Sequence, residues 1–204
     1  QQSPIETSFP KGLQEIQRER WRVAAFGRIR EVIFGAQDGV LGTVALVTGV
    51  AVAMADTSMV LIAGLAGALA GMVSMASGAY LGSKAEKQVF QAEIEKEARE
   101  LEENPAEEMA ELVFLYHQQG MSYNEAREMA EYIASDKELW LRTLVEKELG
   151  IDPDLVSNPI KDGVAMGASY IIASLVPILP YFFIGGYLAI AISVGLGLTT
   201  LFVL

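Results

Sequence analysis

Long runs of apolar residues alternate with strongly polar segments along this chain of 204 residues. Four of the runs are long enough to cross a bilayer as helices, because about 20 residues at 1.5 Å each span roughly 30 Å. The short segments ADTS and IGGY join the first pair of runs and the second pair. The pattern therefore predicts an all-α, polytopic membrane helix bundle. Its four spans are expected at residues 31–55, 59–82, 163–184 and 187–204.

The segment between the second and third spans is strongly polar and predicts a small helical domain. Residues 84–161 carry nineteen Asp and Glu against nine Lys and Arg. No Gly or Pro falls between Gly82 and Asn104, so the second span is expected to continue as one helix to that point. The next helix is expected to have Asn104 as N-cap, Pro105 at its first position and Gly120 as C-cap. Two further helices are expected after capping boxes that pair Ser122 with Glu125 and Ser135 with Glu138.

Composition agrees with this division into apolar spans and a polar insert. The chain is 51% hydrophobic with a mean hydropathy of +0.31, yet its net charge is −11. A soluble fold with four nearly uncharged runs would have too little polar surface to cover its core. We therefore predict a membrane protein of four regions. They are an amphipathic basic helix at 1–30, two spans within 31–83, the acidic insert at 84–161 and two spans within 162–204.

The basic residues predict the orientation in the membrane. Five arginines precede or begin the first span and three lysines flank the insert, whereas the two short connections contain no Lys or Arg. The positive-inside rule then places the N-terminus and the insert in the cytoplasm, with the basic helix on the anionic inner leaflet. Residues 1–28 lack the apolar core of a signal peptide, and the absence of cysteine excludes disulfides and thiolate metal sites. The chain starts at Gln1 and stops at Leu204 inside an apolar run, so residues are expected to be missing at either end.

Two carboxylates lie where the first apolar run would enter hydrocarbon. An acid at depth costs about 2.5 to 3.5 kcal/mol on insertion scales, so an intramembrane carboxylate predicts a function. Asp38 fits this description, and Glu31 lies seven residues earlier on the same helical face. The two could serve as successive stations for a cation or a proton. Glu31 has an alternative interpretation as an interfacial residue paired with Arg28 or Arg30.

Glycines and methionines complete the candidate pathway. G-x-x-x-G motifs at 35/39 and 67/71 predict close helix contacts at dimer or bundle seams. Met72 and Met75 follow the second motif. A methionine in a lipid span is usually apolar filler, but a thioether facing the same cavity as Asp38 would be a soft ligand for a transition metal.

The acids of the insert form a stripe. At 100° per residue, Glu86, Glu93, Glu97 and Glu100 fall within an arc of roughly 60°, and Glu108 and Glu111 are spaced i, i+3 on the next helix. Such a stripe is commonly a solvated face that keeps a domain soluble. Carboxylates from two neighbouring helices could instead converge on divalent cations. The single histidine, His117, is expected to be a packing or interface residue, because no E-x-x-H motif accompanies it.

Taken together, these segments resemble the vacuolar iron transporter (VIT) family. The resemblance rests on REVIFGAQDGVLGTVALVTGV in the first span, AGLAGALAGMVSMASGAYLGS in the second, the Glu-rich insert, and PILPYFF in the third. It covers the chain from about residue 28 to its end. The family implies five spans, of which this chain would lack the last, and a cytoplasmic metal-binding domain. It also implies dimers that move ferrous iron, and often manganese, out of the cytosol in exchange for protons.

The resemblance assigns roles to individual residues. Asp38 corresponds to the family's intramembrane metal and proton carboxylate, Met75 to its pathway methionine and Glu31 to an entrance acid. The metal ligands of the insert correspond to Glu97, Glu100, Glu108, Glu111 and Glu148, to which the acidic stripe adds Glu93. Two departures shift the expected ligand set toward oxygen. Ala79 stands where the family commonly has an acid, and Leu144 and Val145 stand where it has a methionine pair.

We therefore expect a transporter, and not an enzyme, that exports ferrous iron from the cytosol in exchange for protons. Mn²⁺, Zn²⁺ or other divalent cations are further candidate substrates. The expected partners are metal ions, protons, the bilayer and a second copy of the chain, with no nucleic acid. The membrane would be the plasma membrane in a prokaryote or a vacuolar-type membrane in a eukaryote.

Two alternatives to this function stay open. One is a carrier or channel for another cation, in which Asp38 is only a proton relay. The other is a membrane-anchored, dimeric metal buffer or sensor, in which the insert binds metal without transport. An enzyme is the weakest class, because the sequence offers no nucleophile with a base and no phosphate-binding loop.

Overall fold

A computed structural model describes residues 28–54, 56–150 and 158–204, and every regular element within these ranges is helical. The predicted basic helix at 1–30 lies outside the described residues, apart from its last three. The helices are α1 (Ile29–Ala53), α2 (Thr57–Glu103), α3 (Pro105–Gln118), α4 (Tyr123–Ala134), α5 (Lys137–Lys147), α6 (Pro159–Ile178) and α7 (Gly186–Val203). A short 3-10 helix, Leu179–Phe182, extends α6.

Four helical segments are long and apolar enough to cross a membrane, as predicted. They are Ile29–Ala53, Thr57–Glu103, Pro159–Phe182 and Gly186–Val203. Large apolar side chains on them point outward, among them Phe34, Val73 and Phe202. Such surfaces would be unfavourable in water but suit lipid, and helices satisfy their own backbone hydrogen bonds there. The fold is therefore an all-α membrane helix bundle with a polar helical insert.

The described residues fall into two compact units. The membrane unit contains the chain up to Ser83 and again from Asn158 to Leu204, and the insert unit begins at Lys84. Helix α2 starts in the first unit and ends in the second without a break, as the absence of Gly and Pro predicted. Its 47 residues are about twice what a bilayer crossing requires.

The first G-x-x-x-G motif packs α1 against α6. A methyl group at Gly35 would lie 2.5 Å from the Met166 carbonyl oxygen, and one at Gly39 would lie 2.5 Å from the Tyr170 carbonyl oxygen. The Ser174 hydroxyl donates to the Gly39 carbonyl at 3.2 Å across the same contact. Only residues without a side chain allow backbones this close. The motif therefore forms a seam within the bundle of one protomer.

The second G-x-x-x-G motif brings α2 against both of these helices. Gly67 lies against the Leu46 side chain of α1, and Gly71 lies against the phenol ring of Tyr170 on α6. At the far end of the bundle, the Ser193 hydroxyl of α7 donates to the Pro177 carbonyl of α6 at 2.7 Å. These contacts pack the four membrane helices against one another.

The insert unit has its own hydrophobic core and two informative helix starts. Its core is formed by Leu101, Leu112, Val113, Tyr116, Ala126, Ala130, Ile133, Trp140 and Leu144. The first capping box is confirmed, because the Ser122 side chain and that of Glu125 each bond the other's backbone amide. Asn104 is also the N-cap of α3 as predicted, although its side chain makes no capping hydrogen bond. The C-cap of α3 is Gln119, and Gly120 follows it with a φ of +100°.

The predicted second capping box is wrong. The N-cap of α5 is Asp136, whose carboxylate accepts from the Glu138 and Leu139 amides at 3.0 and 3.2 Å. Ser135 instead belongs to the end of α4, where its hydroxyl donates to the Tyr132 carbonyl at 2.6 Å. A carboxylate is the stronger acceptor at a helix N-terminus because its negative charge also interacts favourably with the helix dipole.

Candidate metal centre

Three glutamates of the insert converge on one point. Glu97 lies near the end of α2, Glu108 in the first turn of α3, and Glu148 directly after α5. Each offers a carboxylate oxygen, and these oxygens all lie within 4.8 Å of one another. Glu97 and Glu108 are almost fully buried, at 3% and 5% exposure, whereas Glu148 is exposed. The group is thus closed on the side of the two helices and open where Glu148 stands.

The local fold places these carboxylates. Helix α2 stops at Glu103 because Pro105, at the first position of α3, cannot continue a helix. The reversal of the chain at Asn104 brings α3 back alongside α2, with Leu101 and Leu112 buried in the shared core. Glu148 caps the end of α5, which Trp140 and Leu144 anchor in the same core.

Burial and mutual repulsion keep protons on the empty centre. Burial, and after it the Glu148 charge and a hydrogen bond with Glu108, together raise the pKa of Glu97 to about 8. Burial also raises the pKa of Glu108 and that of Glu148 above their usual range. A hydrogen bond with Glu97 opposes the rise at Glu108, whereas the charges of neighbouring carboxylates add to it at both groups. Near neutral pH at least one of these groups therefore holds a proton that a cation would displace.

Two buried carboxylate oxygens lack partners. Among the described residues, Glu97 Oε1 and Glu108 Oε2 are shielded from solvent and accept no hydrogen bond. An unsatisfied buried acceptor costs about 1 to 3 kcal/mol. A divalent cation between the carboxylates would satisfy both oxygens at once, and hard cations are the ones that take several carboxylate ligands.

The other predicted ligands lie outside this group of three. Glu111 is exposed and shares a hydrogen bond with Glu148. Glu100 is half-buried, repels Glu97 and pairs with Lys96 at 3.1 Å. Among the described residues, Glu93 does not belong to the group of converging oxygens. It is exposed on α2, one turn before Glu97.

No soft ligand joins the centre within the described residues. Leu144 and Val145 are buried, at 0% and 2% exposure, as core residues of α5. His117 is exposed, and its Nδ1 lies 2.8 Å from the Met121 carbonyl oxygen, which places it at the end of α3. The centre therefore offers carboxylate oxygen alone, a donor set that suits Mg²⁺, Ca²⁺, Mn²⁺ and ferrous iron.

The membrane acids have contrasting surroundings. Asp38 is exposed on the surface of α1 in the single chain. Glu31 is buried at 8% exposure, and its Oε1 pairs with Arg30 at 3.2 Å, as one interpretation of the sequence expected. Glu31 Oε2 is buried and has no hydrogen-bond partner in the part of the chain that the structure describes.

One glycine of the second G-x-x-x-G motif contacts a phenol that the sequence analysis did not consider. Met75 and Ala79 are half-buried on α2. One turn before Met75, Gly71 contacts the ring and hydroxyl of Tyr170, which is 7% exposed. The only available signal for Tyr170 was its position in an apolar run, which is equally typical of a lipid-facing tyrosine.

Asp162 is a further buried acid, which the sequence analysis missed. It was expected to flank the third span, but it is 6% exposed in the first turn of α6. The Ser83 hydroxyl donates to Asp162 Oδ2 at 2.8 Å, and Arg28 Nε lies 3.8 Å from Oδ1. Its sequence signal was a carboxylate directly before a run of 42 residues without charge, at residues 163–204.

Comparisons with known proteins match most of the chain. A profile of the VIT family matches residues 29–204. Over 174 residues the chain is 35% identical to vacuolar iron transporter 1 of rice, a match that covers 85% of this chain and 69% of that protein. It is 31% identical to vacuolar iron transporter 2 of rice over 156 residues, which are 76% of this chain and 63% of that protein. Vacuolar iron transporter 1 of Arabidopsis thaliana is 30% identical over 176 residues, with 86% and 70% covered.

Proposed function

The chain belongs to the VIT family, and on that premise we propose that it carries divalent metal, ferrous iron above all, out of the cytosol in exchange for protons. The relatives are named iron transporters, and this chain has both a carboxylate centre and membrane-spanning helices. The convergence of Glu97, Glu108 and Glu148 carries the metal part of the proposal. Manganese would be a second substrate, because the same oxygen donors suit it.

The insert would collect cytosolic metal. Carboxylates bind a metal ion and a proton with the same lone pairs, so an ion entering the centre expels the proton that the raised pKa of Glu97 retains. Glu100 and Glu111 add negative charge around the three converging groups, which raises the local cation concentration. The negative charge around the three glutamates thus favours the binding of a cation, and binding of the cation releases a proton.

In the membrane, Glu31, Asp38 and Met75 would form the pathway. A carboxylate in contact with lipid is unfavourable by about 2.5 to 3.5 kcal/mol on insertion scales, and Asp38 is exposed on the single chain. A second copy of the chain would cover it, and the pathway would then run between two protomers. Protonation of Asp38 from a more acidic far side would release the metal there.

A metal buffer or sensor remains the second candidate function, and one observation favours it. All three converging carboxylates belong to the insert unit, so metal binding there needs no membrane carboxylate. In that case the four spans would only anchor and dimerise the protein.

Transport into liposomes separates the two functions. The protein is reconstituted in vesicles that are acidic inside, and ferrous iron uptake is followed together with internal pH for wild type and Asp38→Asn. Asp56→Asn is the matched control, because Asp56 caps α2 by accepting from the Ser58 amide at 2.8 Å, and Asn caps equally well.

Three outcomes are distinguishable in this assay. Iron uptake with proton exit, lost in Asp38→Asn and kept in Asp56→Asn, supports the exchanger. Uptake that Asp38→Asn leaves unchanged contradicts the role of Asp38 in the pathway. Iron that binds the vesicle surface and never enters supports the buffer or sensor.

A further inference from the structure

Asp162 is a buried carboxylate that the proposed pathway does not use. Its exposure is 6%, and it stands at the start of α6. A buried charge is unfavourable unless it is paired and hydrogen-bonded. Part of its stabilisation comes from the first turn of α6, where the helix dipole favours a negative charge. The remainder comes from side chains of two other helical segments.

These partners come from the two helices that pack beside α6. The Ser83 hydroxyl of α2 donates to Asp162 Oδ2 at 2.8 Å. Arg28, the residue before α1, approaches Oδ1 at 3.8 Å. One carboxylate thus joins α1, α2 and α6 at the same end of the membrane unit. A methyl group at Gly163 would lie 2.8 Å from the Ala76 carbonyl oxygen, so the backbones of α2 and α6 are also in close contact here.

The same end of the unit holds Glu31. Arg28 and Glu31 are spaced i, i+3, which places them on one side of the first turn of α1. Glu31 is 8% exposed, and its unpartnered Oε2 is shielded from solvent. A cation cannot reach that oxygen while the first turn of α1 stays packed. Whatever keeps this end closed therefore controls access to Glu31.

We propose that Asp162, Ser83 and Arg28 form a clamp that holds the entrance end of α1, α2 and α6 closed and must open before a cation reaches Glu31. The proposal rests on the proposed function, which makes this end cytoplasmic and Glu31 its entrance acid. The clamp joins the point where the chain leaves the membrane unit, at Ser83, to the point where it returns, near Asp162. It is a conformational device and binds no metal itself.

Cysteine labelling tests the clamp without metal or transport. These 204 residues contain no cysteine, so Ser169→Cys introduces a single thiol into this chain. Ser169 lies on α6 against Gly35 of α1, inside the contact that the clamp would hold. A maleimide is applied to the protein in detergent, where both ends of the bundle are accessible to the reagent, and the labelling rate is compared across clamp variants.

Ser83→Ala and Asp162→Asn are each expected to raise the labelling rate at least about fivefold, because each weakens a hydrogen bond to a charged group. Ser83→Thr keeps a hydroxyl and is expected to label as slowly as wild type. Since the two residues act through one bond, the double variant should label no faster than the faster single variant. Ser77→Ala is the matched control, because the Ser77 hydroxyl bonds only the Ser74 carbonyl within α2.

A second reporter distinguishes opening from unfolding. Ser193→Cys places the thiol at the far end of the bundle, at a site that is 0% exposed, so unfolding would raise its labelling rate, whereas the clamp variants should leave that rate unchanged. Three outcomes each overturn the clamp. They are unchanged or slower labelling of Ser169→Cys in the clamp variants, additive effects in the double variant, and equal changes in labelling rate at both reporters. Because no metal is present, a failed clamp leaves the proposed function intact, and a failed transport assay leaves the labelling result valid.

Discussion

At the scale of single residues, the surroundings of each carboxylate in the insert decide whether it is a candidate metal ligand. Glu93 and Glu97 have the same side chain and lie one turn apart on α2, yet only Glu97 is buried and faces Glu108 and Glu148. Burial makes the proton of Glu97 hard to remove and leaves Oε1 without a hydrogen bond. Position within the fold, and not residue type, therefore distinguishes a candidate ligand from a solvated acid.

The first prediction compares these two glutamates. Glu97→Gln should weaken Mn²⁺ binding to the full-length protein in detergent by at least about tenfold, because the cation loses one of three converging carboxylates. Glu93→Gln makes the same change in charge on the same helix and should alter the affinity less than about threefold. Isothermal titration calorimetry measures both, and equal losses would show that the stripe acts only through its overall charge.

The second prediction concerns pH. The pKa of Glu97 is about 8 in the folded protein, against 4.5 for an ordinary glutamate, so the folded protein without metal holds a proton that the unfolded chain has lost. Stability of the metal-free protein should therefore fall as pH rises from about 5 to 8, as measured by thermal unfolding. Mn²⁺ affinity should rise over the same range, by up to about tenfold per pH unit for each proton displaced. A metal affinity that is constant between pH 6 and 8 would mean that Glu97 is already ionised in the empty centre.

At the scale of helices, the glycine motifs determine which faces meet. Gly39 lies against the Tyr170 carbonyl of α6, whereas Gly49, on the same helix, has no neighbour within 4 Å of the position that a methyl group would occupy. Both glycines look alike in an apolar run. Only the first is required for helix contact, since a side chain there would push α1 and α6 apart.

The third prediction follows from this pair. Gly39→Ala should destabilise the protein in detergent by about 1 to 3 kcal/mol, because the added methyl group would lie 2.5 Å from the Tyr170 carbonyl oxygen. Gly49→Ala should be neutral or slightly stabilising, because alanine has the higher helix propensity and meets open space. Thermal unfolding of the two variants measures the difference, and equal stabilities would contradict the close contact of α1 and α6.

At the scale of the whole molecule, the residues proposed for metal capture and those proposed for membrane passage belong to different units. The converging glutamates lie in the insert unit, whereas Glu31, Asp38 and Met75 lie in the membrane unit. A transporter needs both units, but binding of metal to the insert needs only one. The two activities should therefore respond to different substitutions.

The fourth prediction separates the two units. Mn²⁺ should raise the unfolding temperature of wild type and of Asp38→Asn by the same amount, because a ligand that binds only the folded state stabilises it. Glu97→Gln should lose most of that increase. If Asp38→Asn loses it instead, the principal metal site lies in the membrane unit and the insert is a solvated acidic domain.

The sequence alone determined the four apolar spans, the continuous α2 and the acidic insert. Hydrophobic length, the absence of helix breakers and charge segregation are local properties that need no knowledge of neighbours. Sequence rules for helix capping failed at the start of α5, where two neighbouring residues can each act as N-cap. There Asp136 caps the helix in place of Ser135. Only the tertiary structure decided which glutamates converge. It also decided that Glu31 is buried beside Arg30, and that Asp162 contacts Ser83 and Arg28. These features depend on how helices pack, because burial and pairing arise between residues that are far apart in the chain.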